Sequence, residues 1–395
     1  MYPRLFLKPI KDAPVRAGHP WIFSEAIAEL PADVEPGDLV DVCTPQGEYL
    51  ATGSINLRTS IAVRIFHHEE GRVIDTAWFV QRLRALRDWR LPLLPPKTNG
   101  ERLVHAENDG IPGLIVDVYG DVVVFQLHTI GIDRLRQEVL EALQTVLQPR
   151  AIVERSDVMA RKQEGLALID PRVHTGSVSE PVAFIEGGVH LLADVIHGQK
   201  TGFFLDQRRA RLAVQHLAKD KRVVNLFSYT GAFSLHALAG GAAYVTNVDI
   251  SRRALELAEQ QLPLNAFGNE RTNQLEADVL ELLEDREFDL SADILICDPP
   301  AFAKTDRQRE DALKAYTRLN QACMQRLAPG SILVTSSCSG RVTSEDFRTM
   351  LRIAAGRARK RVRVLDWIGH DIDHAESVTF PEGRYLKTAI LRIEE

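Results

Sequence analysis

Cysteine is scarce in this 395-residue chain. The four present, Cys43, Cys297, Cys323 and Cys338, stand far apart without any CxxC spacing. That speaks against a disulfide framework and a structural zinc centre, and it fits a reducing compartment. The pair His67-His68 has no companion ligands nearby, and no metal is expected. No apolar run approaches the roughly 20 residues needed to cross a bilayer. The N-terminal Met1-Tyr2-Pro3-Arg4-Leu5-Phe6-Leu7-Lys8-Pro9 lacks the apolar stretch and cleavage site of a secretory signal. A cytoplasmic location without membrane contact is therefore expected. Positive charge is also in deficit, with a formal net charge of −6, which argues against a uniformly basic binder of nucleic acid. Locally the balance reverses. Arg341, Arg348, Arg352, Arg357, Arg359, Lys360, Arg361 and Arg363 face only Glu345 and Asp346 in their stretch, and Arg82, Arg84, Arg87 and Arg90 share a helical one. Polyanion binding needs a basic face, not a basic protein. A solvated helix surface accounts for either cluster equally well.

The length exceeds what one hydrophobic core usually supports, so two or three domains are expected. Residues 1–72 read as short strands between turns: Pro36-Gly37-Asp38, then Leu39–Cys43, Pro45-Gln46-Gly47, Tyr49–Gly53 and Ile61–Phe66. The run PGDLVDVCTPQGEYLATG, followed by Asn56 to Ser60 and an apolar strand, resembles a PUA domain, an RNA-binding β-barrel. Residues 73–190 read as a small α+β domain. It has a helix over 73–91 broken by Pro92–Pro96, strands Leu114–Val118 and Val122–Leu127, a helix over 132–147 and a strand Ala151–Glu154. A strand at Val189–Val195 leads into residues 191–395, where strands alternate with helices as in βαβ units with a parallel sheet. The expected strands are Arg222–Leu226, Ala243–Val248, Thr272–Glu276, Ile294–Cys297 and Ser331–Thr335. Helices are expected over 206–218, 231–239, 251–262, 308–327 and 344–358. Val362–Ile368 and Ala389–Arg392 close the chain as an antiparallel pair.

In an open α/β sheet, ligands bind beyond the carboxyl ends of the strands. Asn225-Leu226-Phe227-Ser228-Tyr229-Thr230-Gly231 ends the first of these strands and opens a helix, where backbone N–H groups face a ligand. A single glycine there is not the G-x-G-x-x-G pyrophosphate cradle, which disfavours a nicotinamide-dependent oxidoreductase. Asp249 ends the second strand, placed to accept from a ribose hydroxyl. Asp278 follows the third, and Asp298-Pro299-Pro300 ends the fourth. The bland alternative is a plain strand-turn-helix, with Asp249 capping the helix from Ser251 onward.

In this order and spacing, NLFSYTGAF, VDIS, EADV, CDPPAF and SSCSG resemble the class I methyltransferases of the bacterial large-subunit ribosomal RNA 5-methylcytosine family, and GFFLDQR resembles its additional cofactor segment. With the PUA-like start, the resemblance spans the whole chain. It implies an α/β fold: a doubly wound Rossmann-like methyltransferase domain preceded by a PUA-like barrel and a small α+β domain. It implies S-adenosyl-L-methionine as cofactor and 23S ribosomal RNA, or a precursor of the large ribosomal subunit, as partner; a homodimer is compatible with it. By position, Phe227, Ser228, Tyr229 and Gly231 would line the methionine part, with Asn225, Thr230 and Ser251 in the same loops. Asp249 would hold the ribose, Asp278 the adenine amino group, and Asp206 and Arg208 would close the pocket.

Cytosine C5 is a poor nucleophile until something adds at C6, so such a reaction needs a thiolate beneath the ring. Cys338 follows an apolar strand on a Ser-Ser-Cys-Ser-Gly loop and is the expected nucleophile. A thiol of pKa ~8.5 is only a few per cent ionised at neutral pH and needs nearby cations, for which Lys304 and Arg341 are candidates. Asp298 would hold or protonate cytosine N3, and it also counts among the residues expected to bind the cofactor. Many RNA 5-methylcytosine enzymes carry a second cysteine after the proline of the fourth motif; Ala301 stands there, and Cys297, Cys323 and Cys43 read as core. Two alternatives stay open: methylation of a guanine or adenine nitrogen, which usually wants an aromatic residue directly after the second proline, whereas Phe302 comes one place late; and a non-catalytic RNA-binding assembly protein.

Overall fold

The computed structural model describes residues 1–394 other than 179, 180, 286, 288 and 304. By its internal contacts the chain forms two units. One comprises Met1–Phe184, Ala193–Leu205 and Ile372–Gly383; the other comprises Ile185–Leu192, Asp206–Asp371 and Arg384–Glu395.

The first unit holds two sheets. Six strands from Arg4–Leu7 to Ile61–His67 form a mixed sheet, in which Arg4–Leu7 pairs parallel with Leu39–Cys43. Val40 and Val42 enter a core with Leu5, Leu7, Ile55 and Val63, while the Asp41 carboxylate accepts from the Thr52 hydroxyl (2.8 Å) and the Tyr2 N–H (3.1 Å). The second sheet has five strands: Gly100–His105, Leu114–Tyr119, Val122–Leu127, Ala151–Glu154 and Arg172–Thr175. Helices Thr76–Arg90 and Arg136–Leu147 bury Phe79, Leu83, Leu86, Val139 and Leu143 against its apolar residues. The first of these helices starts at Thr76 because the Asp75 side chain accepts from the Trp78 N–H and fixes the cap. The single helix expected over 132–147 is two, Ile130–Arg134 and Arg136–Leu147, with Leu135 off the helical conformation between them. Buried polar contacts join the two sheets across the expected boundary at residue 72. Asn56 donates to the Glu164 carboxylate (2.8 Å), and Arg64 bridges Glu107 (2.7 Å) and Glu164 (2.9 Å).

The second unit is built on seven strands. In chain order they are β1 (Arg222–Leu226), β2 (Tyr244–Asp249), β3 (Thr272–Glu276), β4 (Ile294–Cys297), β5 (Ile332–Ser337), β6 (Val362–Ile368) and β7 (Lys387–Ile393). They lie in the order β3-β2-β1-β4-β5-β7-β6. The first five are parallel, and β7 is antiparallel to both its neighbours. The apolar run Ile294–Cys297 is buried on both faces, as a central parallel strand requires. Helices α1 (Arg208–Leu217), α2 (Ala232–Ala239), α3 (Arg252–Gln260), α4 (Val279–Glu284), α5 (Arg309–Arg326) and α6 (Ser344–Ala358) complete the unit. On one side Leu319, Met324, Phe347 and Leu351 of α5 and α6 pack with Leu295 and Leu333 of the sheet. This is the expected doubly wound α/β fold. The strand order reverses between β1 and β4, so a crevice opens at their carboxyl ends.

Candidate active site

The turn after β1 is strained. Phe227 (φ 56°), Tyr229 (φ 48°) and Gly231 (φ 72°) all adopt left-handed backbone, which side-chain-bearing residues avoid unless their surroundings impose it. At Gly231 a Cβ would lie 2.9 Å from the Ala258 Cβ, so only glycine fits where α2 begins. The turn is anchored by Asp249 at the end of β2: one carboxylate oxygen accepts from the Tyr229 N–H (2.8 Å), the other from the Ser251 N–H (2.9 Å). Asp249 stays partly exposed, and each oxygen keeps a lone pair for a further donor. The Ser228 and Thr230 hydroxyl oxygens are buried without a hydrogen-bond partner. Buried polar atoms are normally satisfied, so these two fit a polar ligand in the turn. Asp278 caps α4 through one oxygen, accepting from the Leu280 N–H (2.7 Å), and its carboxylate remains partly exposed near the end of β3.

Three residues expected near the cofactor make framework contacts in the structure. Asn225 is buried and donates to Ser234 Oγ (3.0 Å) and Asn247 (3.4 Å), underneath the turn rather than in it. Ser251 caps α3 by accepting from the Ala254 N–H. Arg208 is fully buried, its guanidinium held by Glu186 (3.2 Å) and Asp371 (2.6 Å). Glu186 also pairs with Arg211 and faces His236; against the opposing effect of burial, the two guanidiniums and the His236 hydrogen bond keep its carboxyl well below the usual range. The network fixes α1 and thereby the residues just before it. Asp206 accepts from the Tyr385 hydroxyl (2.8 Å), and the Gln207 amide donates to Asp298 (2.9 Å).

Asp298 follows β4 and is half-buried; Pro299 is buried and fixes its presentation. Gln207 is in turn approached by the Thr388 hydroxyl (3.4 Å), which also bonds Ser336 (2.8 Å). This chain runs from β5 through β7 to the carboxylate. Sequence reasoning missed Gln207 because the residues it joins are 91 and 181 positions away. Cys338 lies one residue beyond β5, beside β4 in the sheet, and is the one partly exposed cysteine; Cys43, Cys297 and Cys323 are fully buried, as expected of core residues. A hydrogen bond with Cys323, together with burial, pushes the Cys297 thiol up. Of the two cations expected near Cys338, Lys304 lies outside the described residues. Arg341 lies on the cysteine loop itself and is exposed. The fold brings a further cation to this loop, Lys387 of β7, whose ammonium donates to the Ser339 (2.7 Å) and Val342 carbonyls. Burial pushes its pKa down to about 8, and Cys338 and Asp346 act against that shift.

The basic clusters separate. Arg90 is buried against Asp109, Arg82 donates to the Asp109 carbonyl (2.6 Å) and Arg87 to the Val146 carbonyl (3.4 Å), so these three arginines have internal work in their own unit. In the other cluster Arg348 stacks on Trp367 at 4.0 Å, while Arg352, Arg357, Arg359, Arg361 and Arg363 are exposed, the last two beside Glu394.

Comparison with known proteins gives this geometry its family. The S-adenosylmethionine-dependent methyltransferase family matches residues 135–357, and a PUA-like domain matches residues 5–68. The chain is 38% identical over 376 residues to the ribosomal RNA large subunit methyltransferase I of Aeromonas salmonicida, covering 95% of each chain. It is 36% identical to the protein of that name from Alteromonas mediterranea, over the full length of both. An S-adenosylmethionine-dependent methyltransferase structure from Streptococcus mutans superposes with a TM-score of 0.83 at 22% identity, covering 98% of this chain and 99% of that one. A methyltransferase structure in complex with SAH gives a TM-score of 0.84 at 23% identity, with the same coverage, and bears out the fold. The chain belongs to the S-adenosylmethionine-dependent methyltransferases, in the family of the ribosomal RNA large subunit methyltransferases I.

Proposed function

We propose that this methyltransferase acts on C5 of a cytosine in 23S ribosomal RNA, with Cys338 as nucleophile and Asp298 holding the base. The relatives' names supply the large-subunit ribosomal RNA. The observation that carries the reaction class is the position of Cys338: a partly exposed thiol at the carboxyl end of β5, next to the strand that presents Asp298. When bound, S-adenosylmethionine supplies an electrophilic methyl group. Ser228, Thr230, Asp249 and Asp278 are the side chains that would hold it. The Cys338 thiolate adds to C6 of the ring, and the displaced electron pair makes C5 nucleophilic. Once C5 carries the methyl group, a base removes its proton, the C5–C6 double bond reforms and the thiolate leaves. Asp298, fixed by Gln207, bonds the N3 side of the ring while charge moves through it.

Phe302 bears on the nitrogen-methylating alternative. Its ring lies 4.6 Å from that of Tyr316 and packs against the core, which supports the cytosine reading over the nitrogen one. The PUA-like region, treated as a domain of residues 1–72, and the exposed arginines of α6 and β6 would bind RNA, in a cytoplasmic enzyme. Among the described residues, no helix is long and apolar enough to cross a membrane. The test is nucleoside analysis of large-subunit ribosomal RNA after incubation with the purified protein and labelled S-adenosylmethionine. Label in 5-methylcytidine is expected; label in an N-methylated purine would replace this reading with the nitrogen one.

A further inference from the structure

Lys387 occupies an uncommon environment for a lysine. It starts β7 opposite Ser337, the residue before Cys338, and only 6% of it is exposed. Its ammonium donates to the Ser339 and Val342 carbonyls, which lie on the loop that carries the thiol. No carboxylate lies within salt-bridge distance of it among the described residues. Burying a cation against neutral carbonyls alone is costly, so such a group is normally paired with an anion. The titratable groups around it come from several elements. Cys338 faces it from the loop after β5. Asp346 faces it from the first turn of α6, but is already engaged by Arg309 and by the cap at Thr343. Tyr316 of α5, near Cys338 and Asp298, is pushed up to about 12 chiefly by burial and stays neutral. Ser339 also donates to the Ala303 carbonyl (2.8 Å).

We propose that Lys387 is a positioning residue for the nucleophile: two of its N–H groups fix the 338–342 loop, and its unpaired charge holds Cys338 as thiolate. The inference rests on the reading of Cys338 as nucleophile. Lys387 does not touch the cytosine; it acts through the sulfur. No proton need pass between the two, since the thiol releases its proton to solvent and the ammonium keeps its own. Because the two groups interact, they titrate as a pair with shared apparent pKa values.

Alkylation isolates the effect, since the other three cysteines are fully buried. The full-length protein is treated with iodoacetamide across pH 5 to 10, and carbamidomethylation of the Cys338 peptide is followed by mass spectrometry. The wild-type protein should show an apparent pKa at least about one unit below the ordinary ~8.5, as an opposite charge close by produces. Lys387→Met should move the midpoint up by about one unit or more and lower kcat, with S-adenosylmethionine affinity unchanged. Lys387→Arg, which keeps the charge, should restore most of the low midpoint. A wild-type midpoint at or above 8.5 overturns the proposal whether or not the variants fold. So does a Lys387→Met protein, folded by its cofactor affinity, with the wild-type midpoint. Failure of the underlying reading looks different: Cys338→Ala would still methylate RNA, while the alkylation shift on Lys387→Met would persist.

Discussion

Replacing Asp249 by asparagine removes one negative charge at the end of β2 and leaves one carbonyl oxygen where the carboxylate has two. In the structure those two oxygens each accept a backbone N–H, from Tyr229 and Ser251, while the residue stays partly open to solvent. The amide can keep one of these bonds. Its NH2 group meets the other N–H as donor against donor. For the ligand, the substitution weakens a charge-assisted hydrogen bond to the ribose, worth about 1.5–3 kcal/mol. That corresponds to a roughly 10- to 150-fold rise in the dissociation constant for S-adenosylmethionine. Calorimetric titration reads this directly. A melting curve without ligand separates it from loss of the Tyr229 anchor, a half-buried bond whose loss should cost roughly 1 kcal/mol of stability. Lower stability with unchanged affinity would refute the reasoning: Asp249 would then brace the turn and touch no cofactor.

Three further expectations concern other parts of the molecule. Glu186→Gln should destabilise the protein by about 3–5 kcal/mol in denaturant unfolding, because Arg208 and Arg211 lose their shared buried anion; a loss under 1 kcal/mol would mean that water reaches the network. Replacing Arg357, Arg359 and Arg361 together should flatten the dependence of RNA affinity on salt, by about one unit of log–log slope for each phosphate that these arginines neutralise, whereas the same change at Arg82, Arg87 and Arg90 should act on stability. An unaltered slope would return the α6–β6 arginines to the role of solvated surface. Turnover should also fall on the alkaline side of about pH 8. Burial has depressed the Lys387 pKa to about 8, so its ammonium is present below that pH and lost above it. In Lys387→Arg the decline should move to higher pH, and an identical decline would assign it to another group.

The second unit was largely legible because its strands are central and parallel. Runs such as Ile294–Cys297 must be apolar on both faces, and each ends at a residue that stands out against them. Asp249, Asp278, Asp298 and Cys338 could be placed at strand ends from the chain alone. Strand Gly100–His105 was not legible: its glycine and charged residues suit a strand only because Arg102 meets Asp117, 15 positions on. Arg172–Thr175 lies at a sheet edge with mostly exposed side chains and leaves no periodic signal. At the site, sequence proximity did not reveal the internal partners of Asn225 and Arg208. Both neighbour the cofactor motifs in the chain, but their side chains turn into buried polar networks. Gln207 and Lys387 were invisible for the opposite reason. One glutamine inside the GFFLDQR segment and one lysine in a terminal strand acquire their partners only when β7 inserts antiparallel between β5 and β6.

The most direct test of the account is covalent trapping at Cys338. Ribosomal RNA substrate carrying 5-fluorocytosine is incubated with the protein and S-adenosylmethionine, then run under denaturing conditions. Fluorine cannot leave C5 as a proton does, so the enzyme should stay bonded to the RNA through C6, with mass spectrometry placing the adduct on the peptide that contains Cys338. Omitting S-adenosylmethionine should prevent the stable adduct. Cys338→Ser should abolish both adduct and turnover, since a hydroxyl without a strong base beside it cannot supply the attacking anion. Near-normal methylation by Cys338→Ser, or a fluorinated RNA released unbound after methylation, would contradict the 5-methylcytosine mechanism.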